Sequence, residues 1–146
     1  MGQVADVLRA KGSAVFTITA DNTVFEAVVE MVEHGVGSLV VLEGNTPIGI
    51  ITERDYLREI AVRGRTSRET AVREIMRRNV VVVEATRSID DCMTIMSEGR
   101  IRHIPVVEDG RLIGLISIGD LVKRRSTDQQ VEIRYLTDYV TGKYPA

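Results

Sequence analysis

Apolar positions along this chain change their period in a fixed order, and the order occurs twice. Val24, Ala27, Val28, Met31 and Val32 follow the i, i+3, i+4, i+7, i+8 spacing of one helix face. Thr23 and Glu26 have capping-box spacing at its start, and Gly35 supplies a stop. Ile89, Cys92, Met93 and Met96 repeat the stripe after Ser88, with Asp91 three residues on and Gly99 closing the helix. Each helix precedes two β-rich runs, predicted over residues 38–42 and 48–51, then over 104–107 and 112–116. Glu43-Gly44-Asn45 and Glu108-Asp109-Gly110 provide the turns between them, because Gly and Asn tolerate positive φ.

A leading strand is predicted over residues 15–18 in the first unit and 80–83 in the second. A closing helix is predicted over 53–63 and 119–125. Each unit therefore reads β-α-β-β-α, an α/β (α+β) pattern whose largely apolar strands require helices packed over the sheet. The units align without a gap: Asp120 follows Asp55 by 65 positions, and at that offset Val15 meets Val80, Met31 meets Met96, Glu33 meets Glu98, Val41 meets Val106 and Ile48 meets Ile113. Short helices are expected before each unit, over residues 3–8 and 70–76. The expected organisation is repeat one with its N-terminal helix over 1–65, repeat two with its linker helix over 66–126, and a helical tail over 127–146. Val131, Tyr135, Leu136, Tyr139 and Val140 form an apolar stripe in that tail before Gly142, so it is expected to pack against the body or a partner subunit.

Composition narrows the function classes. Apolar residues make up 44% and charged residues 27%, and the formal charge of −2 argues against a primary role on nucleic acid, which needs a concentrated basic face. No run approaches the roughly 18 apolar residues of a membrane span. The N-terminus lacks the basic and apolar regions of a secretion signal. A single cysteine, Cys92, excludes an internal disulfide and fits a reducing compartment. A soluble cytoplasmic protein is expected.

The repeated chemistry lies in Gly49-Ile50-Ile51-Thr52-Glu53-Arg54-Asp55 and Gly114-Leu115-Ile116-Ser117-Ile118-Gly119-Asp120, at a strand-to-helix junction. One reading is structural, since Thr52 with Asp55 and Ser117 with Asp120 have the spacing of a capping box. The other is a nucleotide site. A hydroxyl and free N–H groups at a helix start attract phosphate, a carboxylate accepts from a ribose diol, and glycine at the strand end admits a ligand close to backbone.

These motifs resemble the nucleotide signature of cystathionine-β-synthase (CBS) domains. The runs Gly37-Ser38-Leu39-Val40-Val41 and Arg102-His103-Ile104-Pro105-Val106-Val107 look like the strand that precedes it. The resemblance covers roughly residues 4–125 and implies two repeats in pseudo-two-fold symmetry with two clefts between them. It assigns Thr52 and Ser117 to phosphate and Asp55 and Asp120 to ribose hydroxyls. Adenine is then held crosswise: by Phe16, Ile18, Val36, Gly37 and Leu115 in the Asp120 cleft, and by Val80, Val81, Ile101, Arg102 and Ile50 in the Asp55 cleft. Ser38 and His103 stand beside these positions. Arg54 offers a guanidinium to phosphate, whereas its counterpart Gly119 does not, so unequal clefts are expected. The ligand implied is AMP, ADP, ATP or NAD(H), with no catalytic cofactor. The partners implied are a second copy in a homodimer and a separate regulated protein.

Ser117, His103 and Asp120 do not make a hydrolase, because no Gly-x-Ser-x-Gly elbow is present. His34, His103 and Cys92 lack metal-ligand spacing; His34 reads as a helix end and Cys92 as a buried replacement for Ala27. Arginines 58, 63, 65, 68, 73, 77 and 78 read as a solvated linker broken by Glu59, Glu69 and Glu74, or in part as the phosphate end of a cleft or a contact to nucleic acid. Two functions remain: a nucleotide sensor that signals to a partner, and a structural dimerisation module in which the motifs are only helix caps.

Overall fold

A computed structural model describes residues 2–12 and 14–125. The elements are α1 (Val4–Lys11), β1 (Thr17–Thr19), α2 (Val24–His34), β2 (Ser38–Glu43), β3 (Thr46–Thr52), α3 (Glu53–Tyr56), α4 (Val72–Ile75), β4 (Val83–Glu84), α5 (Ile89–Gly99), β5 (His103–Glu108), β6 (Arg111–Ser117) and α6 over residues 118–125. The expected tail helix and its tyrosines lie outside the described residues.

Two three-stranded sheets follow one plan. In each, the first strand pairs parallel with the second (Thr17 opposite Val40, Val83 opposite Val106), and the second pairs antiparallel with the third (Val40 opposite Ile50, Pro105 opposite Leu115). Both hairpins slip register at the same place, between Val41 and Leu42 and between Val106 and Val107. The expected β-α-β-β-α units are thus present in duplicate. The leading strands are shorter and later than expected. Ladder pairing starts at Thr17 and Val83, while Val81 and Val82 are 41% and 40% exposed and lie outside the ladder.

Local capping sets the helix starts. The Thr23 hydroxyl accepts from the Glu26 N–H at 3.1 Å, and the Glu26 carboxylate accepts from the Thr23 N–H at 2.9 Å. Ser88 accepts from the Asp91 N–H at 3.0 Å. Gly35 ends α2 in the left-handed region at φ 64°, as its position implied. The second helix departs from expectation: Gly99 stays inside α5, and the left-handed position falls one residue later on Arg100 at φ 53°. After α3 the chain widens into a π-type turn over Leu57–Ala61, where the Val62 N–H donates to the Leu57 carbonyl at 2.9 Å.

The two cores exchange their leading helices. Val72, Ile75 and Met76, from the segment before repeat two, pack with Val24, Met31, Leu39 and Ile51 of repeat one. Val4, Val7 and Leu8, from before repeat one, pack with Val83, Ile89, Met96, Ile104 and Ile116 of repeat two. Backbone bonds fix each crossing. Val72 and Arg73 donate to the carbonyls of Asn22 and Ala20, and Val4 and Ala5 donate to those of Arg87 and Ala85. Grouping each helix with the repeat that follows it therefore describes chain order, not packing.

The strand-end glycines acquire their reason here. A Cβ on Gly49 would stand 2.8 Å from the Arg77 carbonyl and 2.7 Å from the Met76 sulfur, and one on Gly114 would stand 2.8 Å from a Leu8 methyl. Both glycines thus leave room for the crossing segments.

Candidate functional site

Between the repeats a cleft of about 400 Å³ opens beside the start of α3. Its apolar walls come from Ile50 on β3, Val80 and Val81 from the segment before β4, and Ile101 from the turn after α5. Its polar lining is Ser38, Thr52, Glu53, Asn79 and His103, with four guanidinium groups from Arg54, Arg77, Arg78 and Arg102. The arrangement follows from the fold. Thr52 ends β3 and starts α3; Arg77 pairs its backbone with Ile50 in both directions, at 2.9 and 3.1 Å, and so carries the following residues across the cleft mouth. An apolar slot that ends at a helix N-terminus with several guanidiniums can hold a flat heterocycle at one end and an anion at the other.

Seven of the residues expected around the Asp55 cleft are brought together there: Ile50, Thr52, Arg54, Val80, Val81, Ile101 and Arg102, joined by Ser38, His103 and Gly37. Asp55 itself is not in the lining. It is fully buried, with Oδ2 accepting from the Thr52 N–H at 2.9 Å and Oδ1 accepting from Arg58 at 2.9 Å and Arg77 at 3.3 Å. The Asp55 N–H donates to the Thr52 hydroxyl at 3.2 Å, which completes the capping box. The structural reading of this motif is realised in full.

The Asp120 side is built differently. Ser117 and Asp120 form the same reciprocal cap, at 2.9 and 3.1 Å. The ammonium of Lys11, at the end of α1, then bridges the Asp120 carboxylate at 2.6 Å and the Leu115 carbonyl at 2.9 Å. Asp120 lines a recess of about 190 Å³ with Val7, Ala10, Lys11, Lys123 and Arg124. Phe16, Ile18, Val36, Gly37 and Leu115, expected to hold adenine there, do not line that recess. Phe16 stacks on His34 with ring centroids 4.0 Å apart, Ile18 is 9% exposed within the first core, and Val36 packs against that core. Gly37 lies in the large cleft, with Glu53 packed over it. His34, read as a helix end, also bonds Glu30 at 3.0 Å. Inequality of the clefts, expected from Gly119 alone, owes as much to Lys11.

Electrostatics separate the two sides further. Burial lowers the pKa of His103; Asp120 opposes this, while Lys11, Arg77 and Arg102 reinforce it, so the imidazole is neutral at pH 7. Burial pushes the Asp120 carboxyl upward, but the Lys11 ammonium and the Ser117 N–H outweigh it and hold the group below its ordinary value. Arg77, Arg78, Asn79 and Glu53 are cleft residues that motif matching did not assign. The arginine run offered a signal for the first two, but nothing in it separated cleft arginines from solvated ones. Among the described residues no cluster of His, Cys, Asp and Glu is arranged to hold a metal ion.

The CBS domain family model matches residues 4–62 and again residues 72–127. The chain belongs to the CBS-domain family. It is 40% identical, over 97% of its length and 73% of the other chain, to the mitochondrial CBS domain-containing protein CBSX3 of Arabidopsis thaliana. Among solved structures it is similar to a protein with CBS domains from Burkholderia ambifaria, at 47% identity and a TM-score of 0.80, over 87% of this chain and 96% of that one. It is also similar to a hexameric CBS-CP12 protein from bloom-forming cyanobacteria, at 30% identity and a TM-score of 0.75, over 82% and 66% of the two chains. The paired repeats are therefore a tandem CBS module, and its two sheets correspond to the two CBS domains. No helix among the described residues is long and apolar enough to cross a membrane.

Proposed function

We propose that this CBS pair is a non-catalytic regulatory module that binds an adenine nucleotide (AMP, ADP, ATP or NAD(H)) in the cleft beside α3 and signals to a separate protein in the cytoplasm. The observation that carries the reading is the composition of that cleft. Ile50, Val80, Val81 and Ile101 offer apolar faces to a purine, while the Thr52 hydroxyl and the arginines offer donors to phosphate. A ligand held by both repeats biases their relative arrangement to the extent that it binds one arrangement better, and a partner can read that bias. The ribose role that resemblance gives Asp55 requires Oδ1 to exchange Arg58 or Arg77 for a ribose hydroxyl. On the Asp120 side, Lys11 must leave before a nucleotide enters. A second copy of the chain is expected to cover the apolar surface at Val32 and Leu57, which are 75% and 56% exposed.

Thermal-shift measurement against a panel of adenine nucleotides tests the reading, with mass spectrometry of any ligand released from the purified protein. Stabilisation by at least one nucleotide is expected; none at millimolar concentration, from protein shown to be ligand-free, refutes it. The completed capping boxes favour a second reading, a dimerisation module without a ligand. Asp55→Asn separates the two. An Asn oxygen at this position can still accept from the Thr52 N–H, so unchanged nucleotide affinity leaves Asp55 a structural residue, whereas a large loss makes it part of the site.

A further inference from the structure

A second recess of about 460 Å³ adjoins the cleft and shares Arg54, Arg77, Ile101 and Arg102 with it. It adds Arg100, and no carboxylate lines it. Arg77 is held by Asp55 at 3.3 Å; Arg54, Arg100 and Arg102 make no ion pair among the described residues. The internal repeat shows how one-sided this is. At the 65-residue offset, the counterparts of Arg54, Arg100 and Arg102 are Gly119, Gly35 and Gly37, so none of these three cations is repeated in the other half of the chain.

Arg100 is the most informative of the three. It closes α5 at φ 53°, a left-handed conformation that favours glycine, and glycine is what repeat one has there at φ 64°. The chain keeps a long cationic side chain against that steric preference, at the edge of a recess already lined by three other guanidiniums. Mutual repulsion among cations this close falls when an anion with several charged oxygens lies between them.

We propose that the ligand of this cleft carries more than one phosphate, with its nucleoside against Ile50 and Val80 and its terminal phosphates in the recess walled by Arg54, Arg77, Arg100 and Arg102. The assignment rests on the adenine-nucleotide reading above and narrows it to the di- and triphosphates. The recess at Asp120 also carries cations, Lys11, Lys123 and Arg124, but the Asp120 carboxylate lines it, whereas no carboxylate lines this one.

Isothermal titration of ligand-free full-length protein with AMP and ATP tests the proposal, on wild type and on Arg100→Gly. That substitution suits the left-handed backbone and lies in the recess alone. ATP is expected to bind wild type about tenfold more tightly than AMP, the factor that one charge-assisted contact supplies. Arg100→Gly is expected to remove most of that advantage while leaving AMP affinity unchanged. AMP binding as tightly as ATP, or Arg100→Gly weakening both equally, overturns the polyphosphate assignment and leaves the nucleotide reading intact. Failure of both nucleotides to bind overturns the two together.

Discussion

Replacing Gly49 with alanine tests whether the crossing of the linker segment sets the tolerance of the strand end. The new Cβ would meet the Arg77 carbonyl at 2.8 Å, against an ordinary contact of 3.4 Å or more, and that carbonyl is fixed by the two-way backbone pairing with Ile50. Overpacking of this kind costs about 1–3 kcal/mol. If the segment moves away instead, two backbone hydrogen bonds are lost at about 1 kcal/mol each. Against this stands a gain of about 0.5–1 kcal/mol from restricting the unfolded chain.

Gly114→Ala carries the same gain, so the difference between the variants isolates the folded-state clash. There the obstacle is the far end of Leu8, at 2.8 and 3.1 Å, which a change of rotamer relieves for about 0.5–1.5 kcal/mol. Gly49→Ala is expected to lose about 0.5–2 kcal/mol net, or about 2–7 °C in Tm at this chain length, and Gly114→Ala about 0.5 kcal/mol or less. Urea and thermal unfolding followed by circular dichroism measure both. A Gly49→Ala protein as stable as wild type, or less destabilised than Gly114→Ala, would refute the reasoning.

Other expectations follow from the caps, the histidine and the cysteine. Asp55→Ala removes the partner of the Thr52 N–H and of two guanidiniums that are about half exposed and can rehydrate, so a loss of about 1–3 kcal/mol is expected in denaturant melts. His103 has a folded pKa below its unfolded value near 6.5, so the unfolded state binds more protons in the interval between them. Its contribution to stability is therefore complete above about pH 6.5 and is lost as pH falls through the folded pKa. His103→Ser, which installs the residue repeat one has at Ser38, should flatten that part of the Tm-against-pH curve; an unchanged slope counts against it. Burial raises the Cys92 thiol pKa, so labelling by a thiol reagent at neutral pH should track unfolding; rapid labelling of the native protein would contradict the packing.

Much of the fold was legible because its determinants are local. The stripe from Val24 to Met31, the Thr23 and Ser88 caps and the Gly44 and Gly110 turns each act within a few residues, and duplication doubled every weak signal, although Val32, expected on the same face, is 75% exposed. The site was half legible. Residues fixed by strand and cap geometry, such as Ile50, Thr52 and Val80, stand in the cleft as resemblance implied. Contacts that span the chain were not readable. Lys11 reaches Asp120 across 109 positions, and Arg77 reaches Asp55 across 22, so two carboxylates expected to face a ligand face a cation instead. Nor does any local pattern say that α1 covers the second sheet. Both sheets offer an apolar face, and only the geometry of the connection decides between them.

That exchange of leading helices has a consequence for how the molecule is put together. A chain cut in the linker near Gly64 would leave the first half without Val72, Ile75 and Met76 over its core, while carrying Val4, Val7 and Leu8 with nothing to cover. Two such halves would be complete only in each other's company, each lending the other a lid. The tandem chain has the form of a swapped dimer whose two subunits are joined by a peptide linker, and the smallest unit able to hide its own hydrophobic surface is the pair. Unfolding should accordingly be a single transition, with neither repeat outlasting the other, and any signal that alters one crossing helix is delivered to the opposite repeat without leaving the covalent chain.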